Sequence, residues 1–361
     1  MDGNGSGGRY RSEALAAAIR AAGVAGAGGA GFPSYVKWEA VDDVDYLLVN
    51  HQESEPPFHA DKWLGREYAG DLAGFLGRLL EGTFDAVVVG TKEKYRGAWT
   101  QEFEAATGAT AVEPDALPLS VEDVEGVSFA YTPDVYTYSE ESVLLMVTAG
   151  VGIGEDLPTE HGWLVHNTET LHNIHRAVDH DEPVTRKLVH VDGNAPRHRC
   201  LDVPVGTPGS VLLKAAGLDG LPEDQLLVDG GPGWCYEIDR EPASFGVRKR
   251  TNGVLVLDEA VAREHTGDDG EIDVLDAYDW DGPHETEPTA LEPDRVRIPL
   301  VSNEAYEGFV HPSEPTVEPG DSVQHGDVIA VPRPDGISNH QHASIDGTVV
   351  EVADGHVVIE R

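Results

Sequence analysis

Four glycines fall within six residues at Gly26-Ala27-Gly28-Gly29-Ala30-Gly31, followed by Phe32 and Pro33. No helix or strand tolerates that density, because glycine loses more backbone entropy on ordering than any other residue. The segment is a loop, and its neighbours define its setting. Residues 11–22 before it carry Ala, Leu and Ile at helical spacing, and residues 45–50 after it form a short apolar run ending at Asn50. Successive bare amides in such a loop cradle an anion, or the glycines simply permit a tight turn. The spacing is neither a Walker loop nor a GxGxxG fingerprint, so composition leaves both readings open. Lys37, just downstream, is a cation of the kind a phosphate would need.

The same alternation continues. Residues 69–81 read as a helix, 85–90 as a buried strand, 100–106 as a helix and 127–132 as a strand. Residues 139–149 read as a helix with Ser139 as N-cap and two acids in its first turn, and 168–178 as a helix capped by Thr168. Strands alternating with helices predict a Rossmann-like α/β domain over residues 1–183. Residues 184–259 read as a compact α+β unit. Residues 260–296 are acid-rich, with several Gly and Pro and little periodicity, and are expected to be a linker. From 297 to 361, short β runs alternate with turns, which predicts a small all-β domain.

Charge narrows the partners. The chain holds 65 acidic and 25 basic residues, a formal net charge of −40. That argues against nucleic acid or an anionic membrane as a general partner. The excess is diffuse, as expected of a protein kept soluble in concentrated salt, where the screening length at 1 M falls to about 3 Å. The longest uncharged apolar run, 143–154, is shorter than the roughly 20 residues a membrane span needs. The N-terminal residues lack the basic-then-apolar order of a signal peptide. The expectation is a cytoplasmic protein with no direct membrane span. Two cysteines, Cys200 and Cys235, exclude a disulfide framework, and a Cys-ligated iron–sulfur cluster within these residues would need about four thiolates.

Three further segments carry chemistry. Asn50-His51-Gln52-Glu53-Ser54-Glu55-Pro56 follows a strand, where open α/β sheets place ligands. Its amide and carboxylates can read sugar hydroxyls and ring N–H groups, or form a solvated acidic turn. Tyr136 to Glu141 and His166 to Thr170 each lead into a helix, as ligand contacts or as ordinary caps. Lys92, Lys94 and Arg96 form a rare basic cluster, suited to a nucleotide phosphate or to bridging the acidic surface. Sixteen histidines occur, five of them between residues 161 and 180, including His172 and His175 three apart on a helix. No spacing among them is diagnostic of a metal site and none is expected. Asn339, His340 and His342 lie in a loop of the last domain, where docking is one role open to them.

Together and in order, these segments resemble the flavoprotein family of the complex I NADH-binding subunit, the RnfC subunit and PduS-type cobalamin reductases. GAGGAGFPSYVKW (26–38) is similar to the family's GxGGAGFPTxxKW, VNHQESEP (49–56) to VNxxExEP, YTYSEESVLL (136–145) to YxxGEExxLL, and VHNTETLHNI (165–174) to VNNVETLxNV. Residues 187–217 resemble the β-grasp domain (soluble-ligand-binding, SLBB-like) that follows in the family. The pair VEPGDSVQHGDVIAVP and HASIDGTVVEV resembles a lipoyl-like barrel-sandwich hybrid, although the Asp346-Gly347 turn carries no lysine.

The resemblance implies noncovalent FMN. Gly26, Gly28, Gly29, Gly31 and Lys37 would line its phosphate and ribityl region, and Asn50 and Glu53 its ring and ribityl side. Tyr136, Glu140 and Glu141 would border the flavin, and Asn167 and Thr168 would lie near the phosphate. Phe32 and Glu55 would face NADH or NADPH. It also implies electron transfer to an iron–sulfur or other carrier protein, and a cytoplasmic place, with peripheral membrane association through partners. The alternatives are a corrinoid reductase and an assembly subunit that has lost its cofactor. Ala27, Gln52 and Ser139 depart from the complex I pattern, which has Arg, Asp and Gly there.

Overall fold

The structure is a computed structural model and describes residues 10–303, 309–353 and 355–361. It divides into two compact units that interleave along the chain. The first holds residues up to Arg20, Ser34–Glu53 and Asp61–Asp181; the second holds Ala21–Pro33, Ser54–Ala60 and Glu182–Arg361. Residues 21–33 and 54–60, expected within the N-terminal domain, thus pack with the second unit.

The first unit contains α1 (Ser12–Ala21), α2 (Tyr35–Glu39), β1 (Tyr46–Asn50), α3 (Ala60–Glu67), α4 (Ala69–Leu80), β2 (Ala86–Lys92), α5 (Gln101–Thr107), β3 (Thr110–Val112), β4 (Gly126–Thr132), α6 (Glu141–Ala149), β5 (Trp163–Asn167) and α7 (Thr168–His180). The five strands form one parallel sheet in the order β3-β4-β2-β1-β5. Every residue of β2 is buried, as a strand covered on both faces requires. On one face Leu48, Val88 and Ala130 pack with Leu144 and Leu145 of α6 and with Trp163 and Val165. Gly90 permits this approach: a Cβ there would lie 3.0 Å from both Leu144 methyls.

The chain runs from β1 to β2, β3 and β4 on one side, then returns to place β5 on the other side of β1. The sheet therefore has its switch point between β1 and β5, where a crevice opens at the carboxyl ends of open α/β sheets. Register puts Asn50 opposite Asn167 there, and opposite Gly90 on the other flank.

Two cap expectations are corrected. The N-cap of α6 is Glu140, whose carboxylate accepts from the amides of Ser142 at 3.1 Å and Val143 at 2.8 Å, while Ser139 Oγ donates to Tyr136 O. The N-cap of α7 is Asn167, whose Oδ1 accepts from Thr170 N at 3.1 Å; Thr168 is the first helical residue.

The second unit contains β6 (Arg186–Gly193), β7 (Arg199–Pro204), α8 (Gly209–Ala215), β8 (Gln225–Gly231), β9 (Trp234–Glu237), β10 (Gly253–Asp258), α9 (Glu259–Glu264), β11 (Glu271–Ile272) and β12 (Thr289–Ala290). These strands make a mixed sheet in the order β11-β9-β8-β10-β6-β7-β12. The two-residue alternation of β10 serves both faces: Val254 and Val256 enter one core cluster, Leu255 and Leu257 the other. Residues 260–296, expected as a linker, contribute α9, β11 and β12, and bury Ala262, Ile272, Val274 and Trp280 in the second cluster. Their apolar residues are too sparse to show a period, yet enough of them reach the sheet to order the stretch.

The remaining strands are β13 (Arg295–Pro299), β14 (Glu314–Pro315), β15 (Ser322–Val323), β16 (Val328–Val331), β17 (Gln341–His342), β18 (Gly347–Ala353) and β19 (His356–Glu360). They form two antiparallel sheets, β13-β19-β18-β15 and β14-β16-β17. Val296, Ile298, Val349, Val357 and Ile359 of the first share one core with Ile329 and Ala330 of the second. No helix among the described residues is long and apolar enough to cross a membrane.

Candidate functional site

In the first unit, the carboxyl ends of β1, β4 and β5 gather eight of the expected site residues. Asn50 is fully engaged: Nδ2 donates to Ser139 O at 2.7 Å and Oδ1 accepts from Gln52 N at 3.1 Å. The first bond ties β1 to the turn Tyr136–Ser139, where Tyr136 is half-buried. Lys37, carried on α2, bridges the other elements: its Nζ pairs with Glu141 at 2.9 Å and donates to Val165 O at 3.2 Å. Next to Asn50, the buried His51 ring lies 2.7 Å from Thr168 Oγ1 through Nδ1. Burial, with Lys62 nearby, holds this imidazole well below the usual histidine range, so it is neutral. Gly65 makes room for it; a Cβ there would meet His51 Cε1 at 2.4 Å. Asn167 Nδ2 donates to Asp61 Oδ1 at 3.2 Å, and the same oxygen accepts from Glu169 N at 2.8 Å. Glu140 is committed to capping α6.

Glu53 anchors a buried charge cluster. Its carboxylate pairs with Lys92 and lies 3.5 Å from Lys94; Lys92 and Lys94 also reach Asp134 at 3.2 and 2.9 Å. Burial opposes ionisation of Glu53, but Lys62 and Lys92 outweigh it and hold the carboxyl below the usual range. Lys62 is buried, donates to His51 O and to Thr91 Oγ1 at 2.9 Å, and sits 4.6 Å from the centre of the Tyr95 ring. Its burial pushes its pKa down to about 7 against the pull of Glu53 and Asp61. Arg96 pairs with Glu113. The 92–96 basic cluster thus makes ion pairs. Gln52 is buried; its Nε2 donates to Thr132 Oγ1 at 3.2 Å, while its Oε1 has no hydrogen-bond partner among the described residues.

In the second unit, the glycine segment is a closed loop. Gly26 N donates to Phe32 O at 2.9 Å and Gly31 N to Gly26 O at 3.0 Å. Gly29 and Gly31 hold φ of +107° and +67°, which favour glycine. The amides of Gly28, Gly29 and Ala30 donate to none of the described residues. Arg248-Lys249-Arg250 is the basic group against this loop. Arg250 donates to Gly29 O at 3.4 Å, and Lys249 to Gly23 O at 2.8 Å and to His340 O at 3.1 Å. Sequence reasoning passed over this triplet, although three consecutive basic residues in so acidic a chain were its visible signal. Glu55 also lies in this unit, buried, accepting from Gly233 N at 3.0 Å.

The histidines of α7 are structural. His175 pairs with Asp179 at 2.7 Å, and His172 packs its ring 4.5 Å from that of Tyr68. Asn339 is engaged with Val24 O at 3.0 Å, and His342 is buried.

A parallel sheet whose switch point carries paired asparagines, a buried carboxylate and a lysine defines an α/β nucleotide-binding class of domain. Residues 19–176 match the family model of the Nuo51 FMN-binding domain, and this part of the chain belongs to that family. Two curated relatives extend the likeness. Cobalamin reductase PduS of Salmonella typhimurium is 34% identical over 244 residues, covering 66% of this chain and 49% of the relative. The C-type component of the ion-translocating oxidoreductase complex of Rhodobacter capsulatus is 31% identical over 262 residues, covering 70% and 46%. The chain therefore spans about half the length of these relatives. Among solved structures, an NAD+-reducing NiFe hydrogenase in its H2-reduced state shares the fold, with a TM-score of 0.53 at 21% identity over 70% of this chain and 48% of that one.

Proposed function

We propose that this chain is an FMN-dependent electron-transfer subunit that oxidises NADH or NADPH and passes the electrons to an iron–sulfur or other carrier protein. The observation that carries this reading is the Asn50–Asn167 pair at the switch point of a sheet whose sequence matches an FMN-binding family. The donor set fits the cofactor: Gln52 offers a buried acceptor without a partner, and Lys37 a half-exposed cation. FMN, when bound, would accept hydride from the nicotinamide ring. Asn50, Gln52 and Glu53 would orient its ring and ribityl side, Tyr136 and Glu141 would border it, and Lys37, Asn167 and Thr168 would serve its phosphate. The neutral His51 and the closed Glu53–Lys92 pair would keep those groups fixed without offering a proton. Taken by itself, the loop Gly26–Phe32, with the unspent amides of Gly28, Gly29 and Ala30 and with Arg250 beside it, is proposed as a phosphate cradle. Phe32 and Glu55 are proposed as nicotinamide-facing.

The proposed organisation is an α/β flavin domain over 1–183, an SLBB-like β-grasp domain over 184–259 and a barrel-sandwich hybrid over 297–361. Cys200 and Cys235 are both buried, and we propose that no cluster is held in this chain. A cytoplasmic setting, peripheral to a membrane through partners, and adaptation to strong salt complete the reading. The relative named as a cobalamin reductase, and Ala27 at the position where the complex I pattern has arginine, favour a corrinoid reductase as the second reading.

The test is direct. The protein, isolated in strong brine, should show a flavin spectrum, alone or after added FMN. Anaerobic NADH or NADPH should bleach it, and a corrin substrate should restore the colour only under the second reading. A flavin that neither nucleotide bleaches would sink the dehydrogenase assignment.

A further inference from the structure

We propose that Asp192, His198 and His284 form a binding site for one divalent transition-metal ion of the zinc class. All three belong to the second unit: Asp192 ends β6, His198 lies in the turn to β7, and His284 lies in the acid-rich stretch after α9. One donor atom from each lies within 4.8 Å of the others. Asp192 is buried and His284 nearly so, with a side chain 8% exposed, so this is not a loose surface cluster.

The hydrogen bonds around the rings carry the argument. His198 Nε2 lies 3.2 Å from Gly193 O and His284 Nε2 lies 2.7 Å from Trp280 O. A carbonyl only accepts, so each Nε2 carries the hydrogen, and the neutral ring is left with a lone pair on Nδ1. Both Nδ1 atoms face the same carboxylate, His198 at 3.2 Å from Oδ1 and His284 at 2.8 Å from Oδ2. Neither has the alignment of a hydrogen bond. Lone pairs held against carboxylate oxygens repel unless positive charge lies among them. Protonating both rings would set two imidazolium ions 5.0 Å apart, nearly parallel, with one carboxylate to balance them. A divalent ion satisfies all three groups at once. Imidazole with carboxylate is a donor set of zinc and its neighbours, and tetrahedral bonds of ~2.0 Å set donor atoms about 3.3 Å apart, close to the spacings here.

The surroundings match those of a ligand set. Each imidazole is held through its far nitrogen by a backbone carbonyl, the usual way a ligating ring is oriented. Gly193 N donates to Asp192 Oδ1 at 2.8 Å and fixes the carboxylate. Three protein ligands leave a fourth position for water. The ion would clip the 276–288 stretch to the β6–β7 turn, closing a loop of about 85 residues between His198 and His284.

The full-length chain, made without a histidine tag and stripped with chelator, should take up one zinc ion in a saturable titration. Cobalt(II) should give the visible bands of a four-coordinate site. His198→Ala and His284→Ala should each weaken zinc by about 100-fold or more, beyond the 10–100-fold typical of outer-sphere partners. His161→Ala, at an exposed ring paired with Asp156, should change nothing. If the variants fail to fold, zinc-edge absorption of the wild-type protein decides: a shell containing two imidazoles supports the site, and a shell without imidazole overturns it. Absence of saturable uptake, or uptake indifferent to both substitutions, also overturns it. A colourless protein that binds zinc in this way would refute the flavin reading and leave the metal site standing.

Discussion

Lys92 and Glu53 are both almost wholly buried, each 3% exposed or less, and each depends on the other's charge. Removing one partner of a buried pair strands the other, so Lys92→Met should cost about 3–5 kcal/mol in denaturant unfolding. Lys92→Met combined with Glu53→Gln should recover most of that loss. Because the folded Glu53 pKa lies below its ordinary value of 4.5, the unfolded chain binds the extra proton. Its contribution is fully present above about pH 4.5 and fades as pH falls through the folded pKa; Glu53→Gln should flatten that acid limb. Lys249 acts at the opposite end of the scale. Burial pushes it from 10.5 down to about 7, so between those values the unfolded state again holds more protons. Stability of the second unit should therefore rise with pH from about 7 to about 10, and Lys249→Met should remove the rise. At the switch point, Asn50→Ala deletes the bonds to Ser139 O and Gln52 N. It should weaken FMN binding by about 10-fold, on the order of one charge-neutral hydrogen bond or two, read by flavin fluorescence.

Elements behave less locally than residues. Gly31 closes the glycine loop at φ +67°, and a Cβ there would stand 3.0 Å from Arg250 and Asn303 side-chain carbons. Gly31→Ala should cost about 1–2 kcal/mol, the penalty of a left-handed residue with a side chain, and should loosen the loop in hydrogen exchange. Much of the element order is legible in the chain itself: β1, β2, β4, α1, α4 and α5 fall within a few residues of their expected places, because apolar periodicity and burial agree there. The caps slipped by one residue because Ser139 and Glu140, or Asn167 and Thr168, are neighbours equally able to cap, and only backbone geometry chooses between them. Helix α3 was missed since its sequence ADKWLGRE has few apolar residues and follows two prolines. The site was half legible. Lys37, Asn50, Glu53, Glu141, Asn167 and Thr168 announced themselves by position after strands or near the glycine loop. The pairing of Asn50 with Asn167 and the descent of Lys62 into the core depend on long-range register, which no local pattern encodes.

For the molecule as a whole, the charge of −40 is the dominant physical fact. Described ion pairs such as Arg186 with Asp202 and Glu292, or Arg199 with Glu285, use the scarce arginines on several acids, but most carboxylates face only water and one another. Self-repulsion should therefore relax as salt rises and the screening length shrinks. The melting temperature should climb steadily from millimolar to molar KCl, and a flat response would argue against the brine reading. The interleaving of the two units has a consequence for how such a protein can be dismantled. The chain passes from one unit to the other at residues 20–21, 33–34, 53–54, 60–61 and 181–182. A protease nick or a gene truncation after residue 181 would leave the front half carrying Phe58 and Val24, side chains whose burial is supplied by residues now missing. Neither half is a module that evolution or an engineer can lift out with one cut, so the two are expected to be inherited, expressed and lost together.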